Sequence, residues 1–179
     1  MPSDEQLMEQ IRNDDEQALD ALIRRYWSYL VWYAATKLPD RDEAEDVAQG
    51  VFVRLWEHRR RWDRKGSVKA FLFRIARNLI IDHTRYQEVR DRHDPELVPL
   101  ASSIVTPIDA AAQREFQEAF ERVLGSLPER RREAFILVRT LGLGLQETAD
   151  VMGVTRRTVA NHVYLAVQDL QERLGCFIS

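Results

Sequence analysis

LQETADVMGVTRRTVANHVYLAVQDL, residues 145 to 170, is the stretch on which the fold of this chain turns. A short helix containing Ala149 comes first, Gly153 supplies a turn, and Thr155 caps a longer helix with Val159, Val163, Ala166 and Leu170 along its inner stripe. The small Ala149 side chain lets the two helices cross closely, which is the layout of a helix-turn-helix. A second helix of this kind can lie in the major groove of DNA with its N-terminal half at the bases. The outward residues are Arg156, Arg157, Thr158, Asn161, His162 and Tyr164, which bring donors and acceptors suited to base edges and phosphates. A helical hairpin with no nucleic-acid role would carry the same apolar stripe, so the rest of the chain has to decide.

Upstream, apolar residues recur at helical spacing, and alternating β-branched runs closed by Asn-Gly or Asp-Gly do not occur. The expectation is an all-α protein of two small helical domains joined by a flexible linker. In the second domain the periodicity predicts helices over 109 to 125, 129 to 142, 145 to 152 and 155 to 174, with Leu127-Pro128 and Gly142 to Gly144 as joints. Residues 93 to 108 carry Pro95, Pro99, Pro107 and a Ser-Ser pair without a stripe, and read as the linker between domains 1 to 92 and 109 to 179.

In the first domain, Leu19, Leu22, Ile23, Tyr26, Leu30 and Tyr33 predict a helix reaching about Lys37, stopped by Leu38-Pro39. A second helix starts near Asp40 to Asp42, has Glu43 and Glu45 in its first turn, buries Val47, Val51, Phe52 and Leu55, and ends in HRRR. The loop DRKGS follows, with Ser67 as a fresh N-cap. A third helix over Val68 to Arg90 is expected to bury Phe71, Leu72, Ile75, Leu79 and Ile80 and to turn Arg74, Arg77, Arg85 and Arg90 outward.

The net charge of -3 hides a strong segregation. Residues 1 to 50 hold 5 Lys/Arg against 12 Asp/Glu, whereas residues 51 to 92 hold 12 against 5. A basic segment behind an acidic one is compatible with a nucleic-acid binder, and equally with a solvated helical protein that carries charge blocks, until motifs are added. The lone cysteine, Cys176, permits no disulfide framework and no multi-cysteine zinc site. The polar N-terminus and the lack of a membrane-length apolar run predict a cytoplasmic protein without membrane insertion. His58, His83, His93 and His162 show no metal-binding spacing, no P-loop or nucleophile elbow occurs, and Asp82 and His83 point about 100° apart on a helix. No catalytic residue, metal or cofactor is expected.

SLPERRREAFILVRTLGLGLQETADVMGVTRRTVANHV resembles region 4 of the sigma-70 family, and EAEDVAQGVFVRLWEHRRRWD followed by KAFLFRIARNLIIDH resembles its region 2. Both matches lie in the family's order and cover about residues 15 to 92 and 110 to 174. The lack of further domains points to the extracytoplasmic-function group. The resemblance implies a factor that binds core RNA polymerase through the β′ coiled coil and the β flap and directs it to promoter DNA. It also makes an anti-sigma factor an expected partner.

By resemblance, Glu45, Asp46, Gln49 and Arg54 lie in the polymerase-binding surface, although Gly50 stands where the family usually has an acid. Opening of the minus 10 element needs cations for a single-strand backbone, an aromatic wall and an amide for a base edge. Trp62, Arg64, Lys65, Lys69, Arg74, Arg77 and Asn78 supply these, with Asn78 in the IARN stretch that lines the family's base pocket. Minus 35 contacts fall to Arg156, Arg157, Thr158, Asn161, His162 and Tyr164, because Ala160 and Leu165 replace arginines found in many members. Thr148 stands in place of the usual isoleucine. TVANHV also resembles the helix-turn-helix of LuxR-type regulators, a class that would pair it with an α/β receiver.

Overall fold

The computed structural model describes residues 1–62, 66–90 and 110–175, and the side chains of these except 87–90 and 110–116. Among the described residues there are eight α-helices and no strand, arranged in two compact units. The absence of strands from residues 1–62 and 66–90 leaves no α/β receiver there. The expected linker, 93 to 108, lies outside the described residues, as do Arg64 and Lys65.

The first unit holds α1 (Asp4–Arg12), α2 (Glu16–Ala35), α3 (Arg41–Glu57), a 3-10 turn (Arg59–Arg61) and α4 (Val68–Arg90). The periodicity reading began at Leu19 and so missed α1. Its signal was a capping box: the Ser3 hydroxyl accepts from the Gln6 amide, and the Gln6 side chain accepts from the Ser3 amide. Leu7, Met8 and Ile11 are its buried residues. Asp4 ties the helix to α2 by accepting from the Arg25 guanidinium and the Tyr26 hydroxyl. Burial, then the Asp4 carboxylate, push the Tyr26 pKa up, so the phenol stays a donor.

Helix α2 ends at Ala35, two residues before the expected stop, in a tightened turn where the Lys37 amide closes on the Ala34 carbonyl three residues back at 2.9 Å. Asp40 then caps α3, accepting from the Asp42 amide, and Val47, Val51, Phe52 and Leu55 are buried as the spacing predicts. Ser67 caps α4 through the Ala70 amide at 3.1 Å.

The inner stripe of α4 differs from expectation. Val68, Leu72, Phe73, Ala76 and Ile80 are buried, while Phe71, Ile75 and Leu79 are half-buried. The cause is tertiary: Phe73 meets Tyr33 edge-on, with centroids 5.3 Å apart and planes at 87°, and both rings are fully buried. A Cβ at Gly50 would stand 3.3 Å from Leu79 Cδ1, a tight contact that a small shift of the leucine side chain would relieve. The glycine's cost to helix stability, about 1 kcal/mol relative to alanine, accompanies a close approach of α3 to α4.

The second unit holds α5 (Ala110–Gly125), α6 (Glu129–Phe135), α7 (Leu145–Met152) and α8 (Arg156–Leu174). The helix expected to run unbroken over 129 to 142 widens after Phe135 into a π turn, Ile136–Thr140, closed by the Leu141 amide on the Ile136 carbonyl at 2.8 Å. Arg131 pairs with Asp169 at 3.0 Å, and Arg173 donates to the Ser126 hydroxyl at 2.7 Å, so α8 is fixed at two levels. Gly153 ends α7 at φ +66°, a conformation that costs a glycine nothing, and Thr155 caps α8 through the Thr158 amide. Ala149 is buried in α7, as are Val159, Val163 and Ala166 in α8.

Thr148 is fully buried, and its hydroxyl has no hydrogen-bond partner among the described residues. A buried hydroxyl left unpaired costs about 1–3 kcal/mol. Thr148→Val keeps the shape and removes the orphan, so it should raise unfolding free energy by about 1 kcal/mol, measured by denaturant titration of the second unit's signal. An equal or lower midpoint would show that the hydroxyl is satisfied in solution.

Candidate nucleic-acid interface

An α-helix turns about 100° per residue, so Arg157, Asn161 and Tyr164 fall on one side of α8. All three are exposed, Tyr164 by 60%. Gln168 continues this side one turn on and donates to the Tyr164 hydroxyl at 2.8 Å. Sequence reasoning left it out, although its place four residues after Tyr164 was the available signal. Arg156 is exposed beside the same face, at the first position after the cap.

Two of the expected readers have other surroundings. Thr158 is half-buried, and its hydroxyl shares a 2.8 Å hydrogen bond with the Thr155 hydroxyl, so it belongs to the cap. His162 is half-buried on the flank next to Val159 and Val163, with a buried Nδ1 that has no hydrogen-bond partner among the described residues. Neither shares the face of Arg157, Asn161 and Tyr164.

On α4, Arg74, Arg77 and Asn78 stand at i, i+3 and i+4 and share a face. Arg74 and Asn78 are exposed and Arg77 is half-buried. The Arg74 guanidinium lies 5.4 Å from the Phe71 ring centroid, which holds the cation against the helix surface. Asn78 presents an amide beside two cations, able to donate and accept at one base edge. Exposed Arg85 lies on the same side, seven residues after Asn78, and lengthens the strip. Lys69 projects about 140° from Arg74 in helical angle, so it stands apart from the strip.

Trp62 corrects an expectation. It is only 5% exposed, so it serves as a core aromatic and offers no open face for stacking. The polar neighbourhood of DRKGS made it look like a loop residue. Its burial depends on contacts that spacing does not encode.

The α3 surface carries Asp46 and Gln49, both exposed, three residues apart. Val53, 50% exposed, lies next along this side and is an apolar residue that sequence reasoning missed. Glu45 is half-buried and pairs with Arg41 at 3.1 Å. Arg54 turns toward α4, with its guanidinium 3.7 Å from Asp82, and so stands away from Glu45. The neighbouring His83 approaches Glu43 at 3.3 Å, so Asp82 and His83 serve different partners, as their angular separation predicts.

Comparison with known proteins identifies the family. The family profile described as Sigma-70 region 2 matches residues 22–90, and the one described as Sigma-70, region 4 matches residues 117–170, together more than half of the chain. The RNA polymerase sigma-H factor of Pseudomonas aeruginosa is 25% identical over 96% of this chain and 93% of its own length. The ECF RNA polymerase sigma factor SigW of Bacillus subtilis is 24% identical over 93% of this chain and 94% of its own. Among solved structures, the sigma factor RpoE of Bartonella quintana, in complex with the anti-sigma factor NepR, superposes with a TM-score of 0.70 at 25% identity. That superposition covers 87% of this chain and 96% of the other. With both regions matched in order and relatives of the same size, the chain belongs to the sigma-70 family, in its extracytoplasmic-function group.

Proposed function

We propose that this chain binds core RNA polymerase through the outer face of α3 and directs it to promoters. In this reading α4 opens the minus 10 element and α8 reads the minus 35 element. The domains are residues 1 to 92 and 109 to 179, joined by a linker over 93 to 108. The observation that carries the reading is the exposure of Arg74 and Asn78, with half-buried Arg77 between them, on the helix matched to region 2, together with that of Arg156, Arg157, Asn161 and Tyr164 on the helix matched to region 4.

Asp46 and Gln49, with Glu45 beside them and Val53 one turn further on, place acidic and polar groups next to an exposed apolar contact, a composition suited to a protein-binding patch. The β′ coiled coil is the partner assigned to it, and the β flap is assigned to the second domain. Arg64, Lys65 and Lys69 would meet the single-strand backbone by charge. The chain acts as an initiation factor, with the chemistry of RNA synthesis left to the polymerase, and needs no metal or cofactor of its own. Among the described residues no helix is long and apolar enough to cross a membrane. The cytoplasmic location belongs to this reading and rests on the proposed action on DNA-bound polymerase. An anti-sigma partner follows by analogy with the Bartonella factor bound to NepR.

Asn78→Ala tests the division of labour. Core co-purification and upstream DNA binding should be retained, while open-complex formation on duplex promoters falls about tenfold, the order expected when one base edge goes unread. Permanganate reactivity reads the opening, and a template mismatched across the minus 10 region should recover part of it. Loss of all activities together with thermal stability would instead assign Asn78 a structural role.

Arg156→Ala combined with Arg157→Ala should weaken promoter binding and flatten its log-log salt dependence by about one unit for each phosphate that the variant no longer neutralises. Equal slopes in mutant and parent would show that neither arginine meets a phosphate.

A further inference from the structure

The basic run HRRR, residues 58 to 61, closes α3 and belongs to none of the surfaces above. Its arginines have distinct surroundings. Arg59 is committed: its Nε donates to Asp14 Oδ1 at 2.6 Å, its Nη1 donates to the Trp56 carbonyl at 2.6 Å, and its guanidinium lies 4.4 Å from the Trp56 ring centroid. Arg60 reaches the other Asp14 oxygen through Nη2 alone, at 3.2 Å, with its side chain 74% exposed. Arg61 is exposed.

Asp14 occupies the turn between α1 and α2 at φ +67°, the one positive φ outside glycine among the described residues. Aspartate tolerates this conformation better than most side chains. The Arg59 hydrogen bond holds its carboxyl below the usual range, which keeps it charged at neutral pH. A carboxylate held in place between two arginines acts as a fixed internal anion.

We infer that the turn Arg59–Arg61 is a further nucleic-acid backbone contact of the first unit, in which Arg60 exchanges Asp14 for a phosphate while Arg59 stays anchored. The inference rests on the reading of this unit as a DNA-binding one. An exposed ion pair with a single hydrogen bond contributes little, so its exchange costs little. A phosphate offers the guanidinium two oxygens in bidentate geometry, where Asp14 gives Arg60 one. Arg59 cannot follow, because exchange would break its carbonyl bond and its ring stacking as well as its ion pair. Asp14 therefore does two things: it fixes the turn through Arg59, and it competes with DNA for Arg60.

The test is equilibrium binding of the full-length chain to a short random-sequence duplex across a salt series. Arg60→Ala should weaken binding and flatten the log-log slope by about one unit. Asp14→Asn should tighten binding several-fold, and that gain should vanish when Arg60→Ala is added. Asp20→Asn, an equal charge change on α2, should give no such gain. Equal slopes for parent and Arg60→Ala, or equal tightening by Asp14→Asn and Asp20→Asn, would overturn the exchange. Should Asp14→Asn fail to fold, Arg60→Ala decides alone, since its side chain is largely in solvent. The double alanine change at Arg156 and Arg157, run alongside, separates the two failures. A flattened slope there with none from Arg60→Ala sinks only the exchange, and no salt-dependent binding by the parent chain sinks both readings.

Discussion

The close approach of α3 to α4 is the constraint on which the first unit depends. Gly50 leaves room for Leu79, and the edge-on contact of Phe73 with Tyr33 sets the rotation of α4 against α2. Arg74, Arg77 and Asn78 share a face of α4 by their spacing, and the rotation decides that this face is the outer one. Rotating α4 by one residue would move all its side chains together by about 100° and aim the strip elsewhere. The two surfaces proposed to act, this strip and the outer face of α3, are thus held in register by a few apolar atoms that belong to neither.

The second unit solves the same problem with punctuation. Gly153 in the left-handed region ends α7, the Thr155 hydroxyl starts α8 two residues later, and Ala149 stays small where the helices meet. The recognition face then follows from helical geometry alone. Thr148 is the local exception, a hydroxyl buried without a partner among the described residues, and it marks a place where this chain gives up some stability.

This contrast explains what could be read in the sequence. The helix-turn-helix was legible because its turn and cap are written in residue types, and the bounds of α4 were legible because Ser67 marks its start. The outward positions of Arg74, Asn78, Arg156, Arg157, Asn161 and Tyr164 followed from periodicity. Helix α1 was legible too, in Ser3 and Gln6, but its short stripe was passed over. The inner face of α4 was not, because Phe71 and Phe73 are equally apolar and only the Tyr33 ring chooses between them. The surroundings of Trp62, Thr158 and His162 were not legible for a related reason: each is polar or amphipathic, and whether such a side chain faces solvent is decided by neighbours distant in sequence or by a cap.

The account makes this chain a specificity factor, a protein that adds promoter choice to an enzyme that lacks it. The most direct measurement is transcription by purified core RNA polymerase on a fragment library of genomic DNA, with and without the full-length chain, reading the 5′ ends of all products. The account predicts that the chain creates discrete start sites downstream of a shared pair of sequence elements, none of which core polymerase uses alone. Identical 5′ ends with and without the chain would contradict it.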